Sequence, residues 1–68
     1  MSRISELRRE RGLTQEEVAR RVRVSTRTVA AWESGHATPR QRNARALAKA
    51  LGVSIDVLLL AQGQQATS

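Results

Sequence analysis

The sequence lacks cysteine, phenylalanine and tyrosine, and it has one histidine, one proline and one tryptophan. Without cysteine there is no disulfide to stabilise so short a chain and no thiolate to ligate a metal, and His36 alone cannot hold a metal ion. The sequence also contains no serine–histidine–acid arrangement, no pair of acids suited to catalysis, and no glycine spacing typical of a phosphate-binding loop. These absences predict a protein that is not an enzyme and that uses neither a metal nor another cofactor.

Acidic residues are half as numerous as basic ones. The 68 residues include 12 lysines and arginines against 6 aspartates and glutamates, which gives a formal net charge of +6. Eleven of the basic residues are arginines, whose planar guanidinium binds phosphates and guanine edges through two hydrogen bonds at once. This balance indicates attraction to a polyanion, and the alternative is a basic surface that serves only solubility.

Long hydrophobic runs are also missing. The longest apolar run covers only residues 57–61, far fewer than the roughly 20 residues that span a bilayer. The basic N-terminus is not followed by an apolar segment, so a signal peptide is not expected. We therefore expect a cytoplasmic protein with no membrane partner. Its length suits one domain, over residues 1–61, and its small polar end predicts a disordered tail over residues 62–68.

The residues that are abundant predict helices and no sheet. Leucine, alanine, arginine, glutamate and glutamine favour helices, and four widely spaced glycines mark their ends. Thr14 and Glu17 form a Thr-x-x-Glu capping box, and Thr38, Pro39 and Gln41 suggest a second helix start of that kind. The predicted fold class is all-α, with five helices: about Arg3 to Arg11, from the Thr14 cap to about Val22, from just after Ser25 to Gly35, from the Thr38 cap to Leu51, and from Ser54 to about Ala61.

The spacing of apolar residues assigns an inward face to each helix. The predicted core consists of Ile4, Leu7, Val18, Ala19, Val22, Val29, Trp32, Ala44, Leu47, Ala48, Leu51, Ile55, Leu58 and Leu59. Trp32 also has an alternative interpretation as a platform on which the bases of a single strand stack. Its spacing of three from Val29 favours the core.

The stretch "VRVS", residues 22–25, interrupts the helical spacing with a two-residue alternation. Helices lie on either side of it, so only about three residues connect them, and a connection this short makes the helices cross steeply. Val22 and Val24 then both point inward and hold a tight turn. The sequence therefore predicts a helix-turn-helix unit rather than a strand.

At these residues the sequence resembles the phage repressor and Cro-like (XRE-type) helix-turn-helix family. The segment "GLTQEEVARRVRVSTRTVAAWESGHATPR" carries the motif, "ISELRRERG" precedes it as the first helix of the family does, and "ARALAKALGVSIDVLLL" follows like the fourth and fifth helices. The resemblance implies a compact, five-helix, lambda-repressor-like DNA-binding domain. One departure is Arg23, where the family usually has glycine and a positive φ. Another is Gln41, where the family often has an apolar residue.

The resemblance and the chemistry of the side chains together predict which residues contact double-stranded DNA. The residues expected to read bases are Thr26, Arg27, Ala30 and Ala31. The residues expected to bind phosphates are Thr14, Gln15, Arg23, Ser25, Thr28, His36, Arg40 and Arg42. Residues at the N-terminus of a helix in the major groove reach the base edges, and we expect Arg27 to read guanine. The alternatives are an ordinary exposed arginine at position 27, an exposed turn residue at position 23 and a plain loop histidine at position 36. The resemblance further implies a structural ion pair between Arg8 and Glu33.

The fifth helix has more apolar residues than one inward face needs. Val57, Leu60 and Ala61 form a second side, for which we predict a homodimer interface about a two-fold axis. The alternative is a wider contact with the first helix or the N-terminus. The predicted function is sequence-specific DNA binding as a dimeric transcriptional repressor on a palindromic operator.

Three other functions remain open. Glu16 and Glu17 instead suit a contact with RNA polymerase and activation, as in some relatives in this family, which also includes restriction–modification controllers and antitoxins. A protein-interaction adaptor or antitoxin-like module that keeps the fold is the alternative from another class. Binding of RNA or single strands is the third, and the sequence offers few aromatic residues for it.

Overall fold

The computed structural model describes residues 3–60 and, at position 61, the backbone alone. This part of the chain consists of five α-helices and no strand: α1 (Arg3–Glu10), α2 (Gln15–Val22), α3 (Thr26–Ser34), α4 (Gln41–Leu51) and α5 (Ile55–Ala61). The prediction of an all-α, five-helix fold is confirmed, with α1 ending one residue before Arg11. None of the described helices combines the length and the apolar character needed to cross a bilayer. The tail predicted for residues 62–68 lies outside the described residues.

The core forms where one apolar face of each helix meets its neighbours. α2 packs against α3 and α4, α4 packs against α5, and α1 contacts α3 and α5. Each fully buried leucine or valine stabilises such a core by about 1.5–3 kcal/mol relative to exposure. The buried apolar side chains are Ile4, Leu7, Val18, Ala19, Val22, Val29, Trp32, Ala44, Leu47, Ala48, Leu51 and Leu58.

The start of α2 has the predicted capping box. Thr14 Oγ1 accepts a hydrogen bond from the backbone N–H of Glu17 at 3.0 Å, and Glu17 Oε1 accepts one from the backbone N–H of Thr14 at 2.8 Å. The hydrogen bond from the Thr14 backbone lowers the pKa of the Glu17 carboxyl below its ordinary value, because it stabilises the charged form. This reciprocal cap fixes where α2 begins, and hence where the helix-turn-helix unit begins.

The turn between α2 and α3 has the predicted left-handed residue. Arg23 has φ 67° and ψ 49°, and among the described residues it alone has a positive φ without being glycine. Its backbone N–H and that of Val24 both donate to the carbonyl of Ala19, which satisfies the end of α2. Val22 is buried and Val24 packs against the core, so the two valines hold the turn as expected.

The predicted start of α4 is wrong. Arg40 is the N-cap, in an extended conformation with ψ 167°, and its carbonyl accepts the first helical bond from the N–H of Ala44. Thr38 therefore does not cap the helix, and Pro39 is not its first residue. Pro39 is buried and directly precedes the extended N-cap residue. The Thr38–Gln41 spacing matched a capping box only by sequence.

The predicted inward face of α5 is only partly right. Leu58 is fully buried, whereas Ile55 is 37% exposed and Leu59 is 42% exposed. A short helix at the edge of the core presents a single line of side chains to it, and Leu58 alone fills that line. Val57 and Leu60 are 41% and 75% exposed. Ile55, Val57, Leu59 and Leu60 together form an exposed surface, the α5 apolar patch.

Candidate nucleic-acid interface

The underside of α3 is anchored in the core. Val29 is fully buried and Trp32 is 5% exposed. An indole in this position has no free face for a nucleic-acid base, so the stacking-platform interpretation of Trp32 is wrong. The anchoring fixes the rotation of α3, and with it the identity of the residues on its opposite side.

The outer side of α3 is open at its first turns. Arg27 is exposed, and Thr26, Ala30 and Ala31 are half-buried. No acidic residue lies in the first turn of the helix. An arginine at this end opposes the helix dipole, because the N-terminus already carries partial positive charge. Helix stability therefore gives no reason for Arg27, whereas a ligand with acceptor groups does.

The predicted phosphate ligands Ser25 and Thr28 are joined to each other. Ser25 Oγ accepts a hydrogen bond from the backbone N–H of Thr28 at 3.1 Å, and the two hydroxyl oxygens lie 2.9 Å apart. Ser25 is therefore the N-cap of α3. One hydroxyl donates to the other, so the proton of the second remains available to a phosphate oxygen.

A network of three side chains ties α3 to α1 and α2. Arg8 Nε donates to Glu33 Oε2 at 2.6 Å, Arg8 Nη2 donates to Glu33 Oε1 at 3.2 Å, and Gln15 Nε2 donates to Glu33 Oε1 at 3.0 Å. Arg8 Nη1 also donates to the carbonyl of Leu13 at 2.9 Å. The hydrogen bond to Glu33 raises the pKa of the Arg8 guanidinium, although burial acts in the opposite direction. The predicted Arg8–Glu33 pair is confirmed, and the contact of Gln15 was not predicted.

The start of α2 is less open to a phosphate than the sequence suggested. Thr14 Oγ1 is used in the capping box, and the amide of Gln15 is held by Glu33. Glu16 and Glu17 lie in the first turn of α2, where their charges compensate the positive end of the helix. The site predicted at Thr14 and Gln15 thus lies beside two carboxylates.

The remaining predicted phosphate ligands lie in exposed connections and at the start of α4. Arg23 is exposed in the turn before α3, and Arg40 and Arg42 are exposed at the N-cap and first turn of α4. His36 is exposed in the loop after α3, with Nδ1 2.6 Å from Ser34 Oγ. In the sequence, Arg23 precedes α3, and His36, Arg40 and Arg42 follow it.

Within the described structure, the cations that have a side-chain partner all lie in residues 1–17. In residues 1–17 four arginines accompany four glutamates, and there Arg3 pairs with Glu6 and Arg11 donates to the Gly52 carbonyl. Residues 18–55 contain eight cations and one acid, Glu33. Within the described structure none of these eight has an ion pair or a side-chain hydrogen bond. The eight are Arg20, Arg21, Arg23, Arg27, Arg40, Arg42, Arg45 and Lys49.

Comparison with known proteins agrees with this geometry. Residues 4–58 match the model of a family described as "Helix-turn-helix". A protein of Methanothermobacter thermautotrophicus, named as an uncharacterized HTH-type transcriptional regulator, is 49% identical over 49 residues, which cover 72% of this chain and 71% of the relative. No solved structure matches the chain significantly.

Proposed function

Because the chain belongs to the helix-turn-helix family, we propose that it is a transcriptional regulator that binds double-stranded DNA sequence-specifically through α3. The observation that carries the proposal is the difference between the two faces of α3. Val29 and Trp32 anchor one face in the core, whereas the opposite face carries the half-buried Thr26 and the exposed Arg27. A helix held in this way enters the major groove with its N-terminal residues at the base edges. The name of the archaeal relative supports a regulatory role.

Four residues on α3 are proposed to read bases. Arg27 is exposed and has no partner within the described structure, so both edges of its guanidinium are free to bind O6 and N7 of a guanine. Thr26 offers a hydroxyl and a methyl group beside it. Ala30 and Ala31 are small, which lets the helix lie deep in the groove and contact thymine methyl groups.

Phosphate contacts are proposed to fix the position of the domain on the duplex. The exposed cations Arg23, Arg40 and Arg42 are the strongest candidates, because none of them is neutralised within the described structure. The other proposed ligands are Thr14, Gln15, Ser25, Thr28 and His36. Contacts of this kind carry no sequence information, and they make binding fall with salt.

Substitution of Arg27 tests the reading role. Arg27→Ala is expected to weaken binding to the preferred sequence by about 1–3 kcal/mol and to relax preference at one base pair per half-site. Arg9→Ala is the matched control, since Arg9 is likewise exposed and unpaired but lies on α1. Affinities for a panel of single-base variants, after selection of the preferred duplex from a random pool, give the readout. An equal loss on every sequence would assign Arg27 to phosphate.

We further propose that two copies associate through the α5 apolar patch, in particular through Val57 and Leu60. α1 contacts α5 yet leaves both side chains exposed, so the alternative of cover by the described part of α1 loses its support. The side chain of Ala61, the third residue predicted here, lies outside the described residues. Two copies on a two-fold axis place their α3 helices about 34 Å apart, which suits a palindromic operator.

The dimer has a direct test in solution mass. The double substitution Val57→Lys/Leu60→Lys is expected to give a monomer by sedimentation, because lysines on both sides of the interface repel and cannot be buried unpaired. Arg9→Lys serves as a surface control that keeps the charge. A wild-type protein that is already monomeric at micromolar concentration would refute the α5 interface.

The regulatory role proposed is repression by occupation of the operator. A DNA-binding domain that occupies an operator acts most simply by excluding polymerase, whereas the acids Glu16 and Glu17 on α2 suit activation by contact with RNA polymerase. Transcription in vitro from a promoter that overlaps the selected site decides between the two. Loss of transcript with added protein supports repression, and a gain that Glu16→Gln/Glu17→Gln abolishes supports activation.

The α5 apolar patch also favours a second candidate, a protein-interaction adaptor or antitoxin-like module that does not read DNA. Retention on duplex DNA and on RNA of equal length, each at two salt concentrations, separates the candidates. Regulator function predicts preferential retention on duplex DNA. An adaptor binds neither nucleic acid preferentially.

A further inference from the structure

A basic surface lies on α2 and α4, apart from the outer side of α3. Arg42, Arg45 and Lys49 follow one another at spacings of three and four, so they share one face of α4. Arg21 of α2 lines a groove together with Lys49, and Arg42 and Arg45 line the next groove along α4. All four side chains are exposed. We call these four residues the α2/α4 basic surface.

Within the described structure the charges of this surface are largely uncompensated, although Arg21 has an electrostatic interaction with Glu17. None of the four side chains has an ion pair or a hydrogen bond within the described residues. No acid occurs in the sequence from residue 34 to residue 55. Like charges three and four residues apart on a helix destabilise it. The surface therefore opposes folding, and its composition is explained better by a polyanion that binds there.

The surface suits phosphates rather than base edges. The groove of Arg21 and Lys49 is otherwise lined by the alanines Ala46 and Ala50, and the groove of Arg42 and Arg45 has one uncharged polar residue, Gln41. Base reading needs short polar groups held in a fixed position, whereas flexible lysine and arginine side chains bind the backbone of any sequence. The surface is continuous at Arg42 with the phosphate contacts proposed above.

α2 connects α3 to α4, the helix that carries most of this surface. α2 packs against both α3 and α4, while α3 and α4 have at most a marginal contact with each other. From Arg42 to Lys49 the helix rises by about 10 Å, which matches roughly three nucleotides of one strand at 3.4 Å each. A duplex that is read by α3 and continues past the start of α4 therefore has a track of cations to follow.

From this arrangement we infer that the α2/α4 basic surface binds the phosphate backbone of the DNA that flanks the segment read by α3, so that bound DNA curves along α4. The inference rests on the proposed DNA-binding function and extends it to DNA outside the recognised bases. It predicts that affinity depends on flanking length and not on flanking sequence.

The test compares two duplexes and two charge-matched variants. One duplex ends at the boundary of the recognised site, and the other extends about 10 bp, one helical turn, beyond it on each side. Arg45→Gln/Lys49→Gln removes two charges from the surface, and Arg3→Gln/Arg9→Gln removes two from α1. On the long duplex we expect the first variant to bind about tenfold more weakly near physiological salt, with a salt slope lower by about 2, since each phosphate contact adds about 0.9. On the short duplex both variants should bind like the wild type.

Each other outcome overturns the inference. An equal loss on both duplexes would place Arg45 and Lys49 at the recognised site, and no loss on either would leave the surface to a partner other than DNA. A wild-type protein that binds both lengths with the same affinity and salt slope refutes the flanking contact and leaves the proposed function intact. A wild-type protein that binds neither duplex refutes the proposed function itself. Thermal unfolding of both variants checks that they remain folded.

Discussion

At Arg23 the backbone conformation and the proposed DNA binding favour different residues. Its φ of 67° lies in the left-handed region, and the three other described residues with positive φ are glycines. A side chain in this conformation costs about 1–2 kcal/mol relative to the right-handed one. Replacement by glycine removes that cost but adds about 0.4–1 kcal/mol of backbone freedom to the unfolded chain. We therefore expect Arg23→Gly to stabilise the domain by roughly 0.5–1 kcal/mol.

Two further variants separate conformation from charge. Arg23→Ala keeps a Cβ on a backbone in the left-handed region and removes the charged part of the side chain. Its free energy of unfolding should therefore equal that of the wild type within a few tenths of a kcal/mol. Gly12→Ala is the reverse control, because Gly12 has φ 70° and a Cβ there would meet nothing within 4 Å. Its loss of stability, about 1 kcal/mol, is then purely conformational.

The assays are thermal unfolding and DNA titration over a range of salt. For a domain of this size a gain of 1 kcal/mol raises the Tm by about 4–8 °C. If Arg23 holds a phosphate, both Arg23→Gly and Arg23→Ala lower the salt slope by about 0.9, so the glycine variant is more stable and yet binds DNA less tightly. An Arg23→Gly protein that unfolds at a lower temperature than the wild type would refute the strain at this turn. Unchanged salt slopes would leave Arg23 as a turn residue only.

Three further predictions concern the packing and the caps. Arg8→Met should lower the free energy of unfolding by about 3 kcal/mol, because it leaves the nearly buried Glu33 carboxylate without its arginine partner, and Arg8→Met/Glu33→Leu should lower it by less. Chemical denaturation measures both, and equal losses of stability would contradict this prediction. Because the pKa of Glu17 is lowered in the folded state, its stabilising effect is present above the unfolded pKa of about 4.3 and is lost as pH falls through the lower folded value. The Tm of Glu17→Gln should therefore fall less than that of the wild type over this acid range. Parallel curves of Tm against pH would count against the capping bond. Leu58→Ala should lower the free energy of unfolding by about 2–5 kcal/mol, whereas Leu60→Ala should change that of the monomer little. Unfolding at low protein concentration measures both, and similar losses of stability would place the two side chains in the same environment.

Local signals in the sequence were sufficient for most of the fold. The helical spacing of apolar residues and the Thr14–Glu17 box placed α2 to within a residue, because each signal acts between neighbours along the chain. The start of α4 was predicted wrongly because the Thr38–Gln41 spacing fits a capping box, whereas the chain stays extended through Arg40, which local spacing does not show. The exposure of Ile55 and Leu59 likewise depends on how α5 lies against α4, and spacing within α5 cannot reveal it.

The candidate site was predictable in its residue types and less so in its contacts. Resemblance identified the Arg8–Glu33 pair, yet the hydrogen bond from Gln15 to Glu33 joins residues 18 positions apart and needed the structure. Neither the motif nor the family resemblance points to the basic residues Arg21, Arg45 and Lys49. The signal that would have found them is in the sequence, namely the absence of acids over residues 34–55.

Glu33 resolves an apparent conflict between the fold and the proposed DNA binding. It is the one acid in residues 18–55, and it lies on the helix proposed to enter the groove, where a free carboxylate would repel phosphates. Its side chain is only 9% exposed and accepts hydrogen bonds from Arg8 and Gln15, so its charge is neutralised within the protein. The same contacts join α1 and α2 to the end of α3. An acidic residue thus holds α3 in place without adding a negative charge to the surface that is proposed to face DNA.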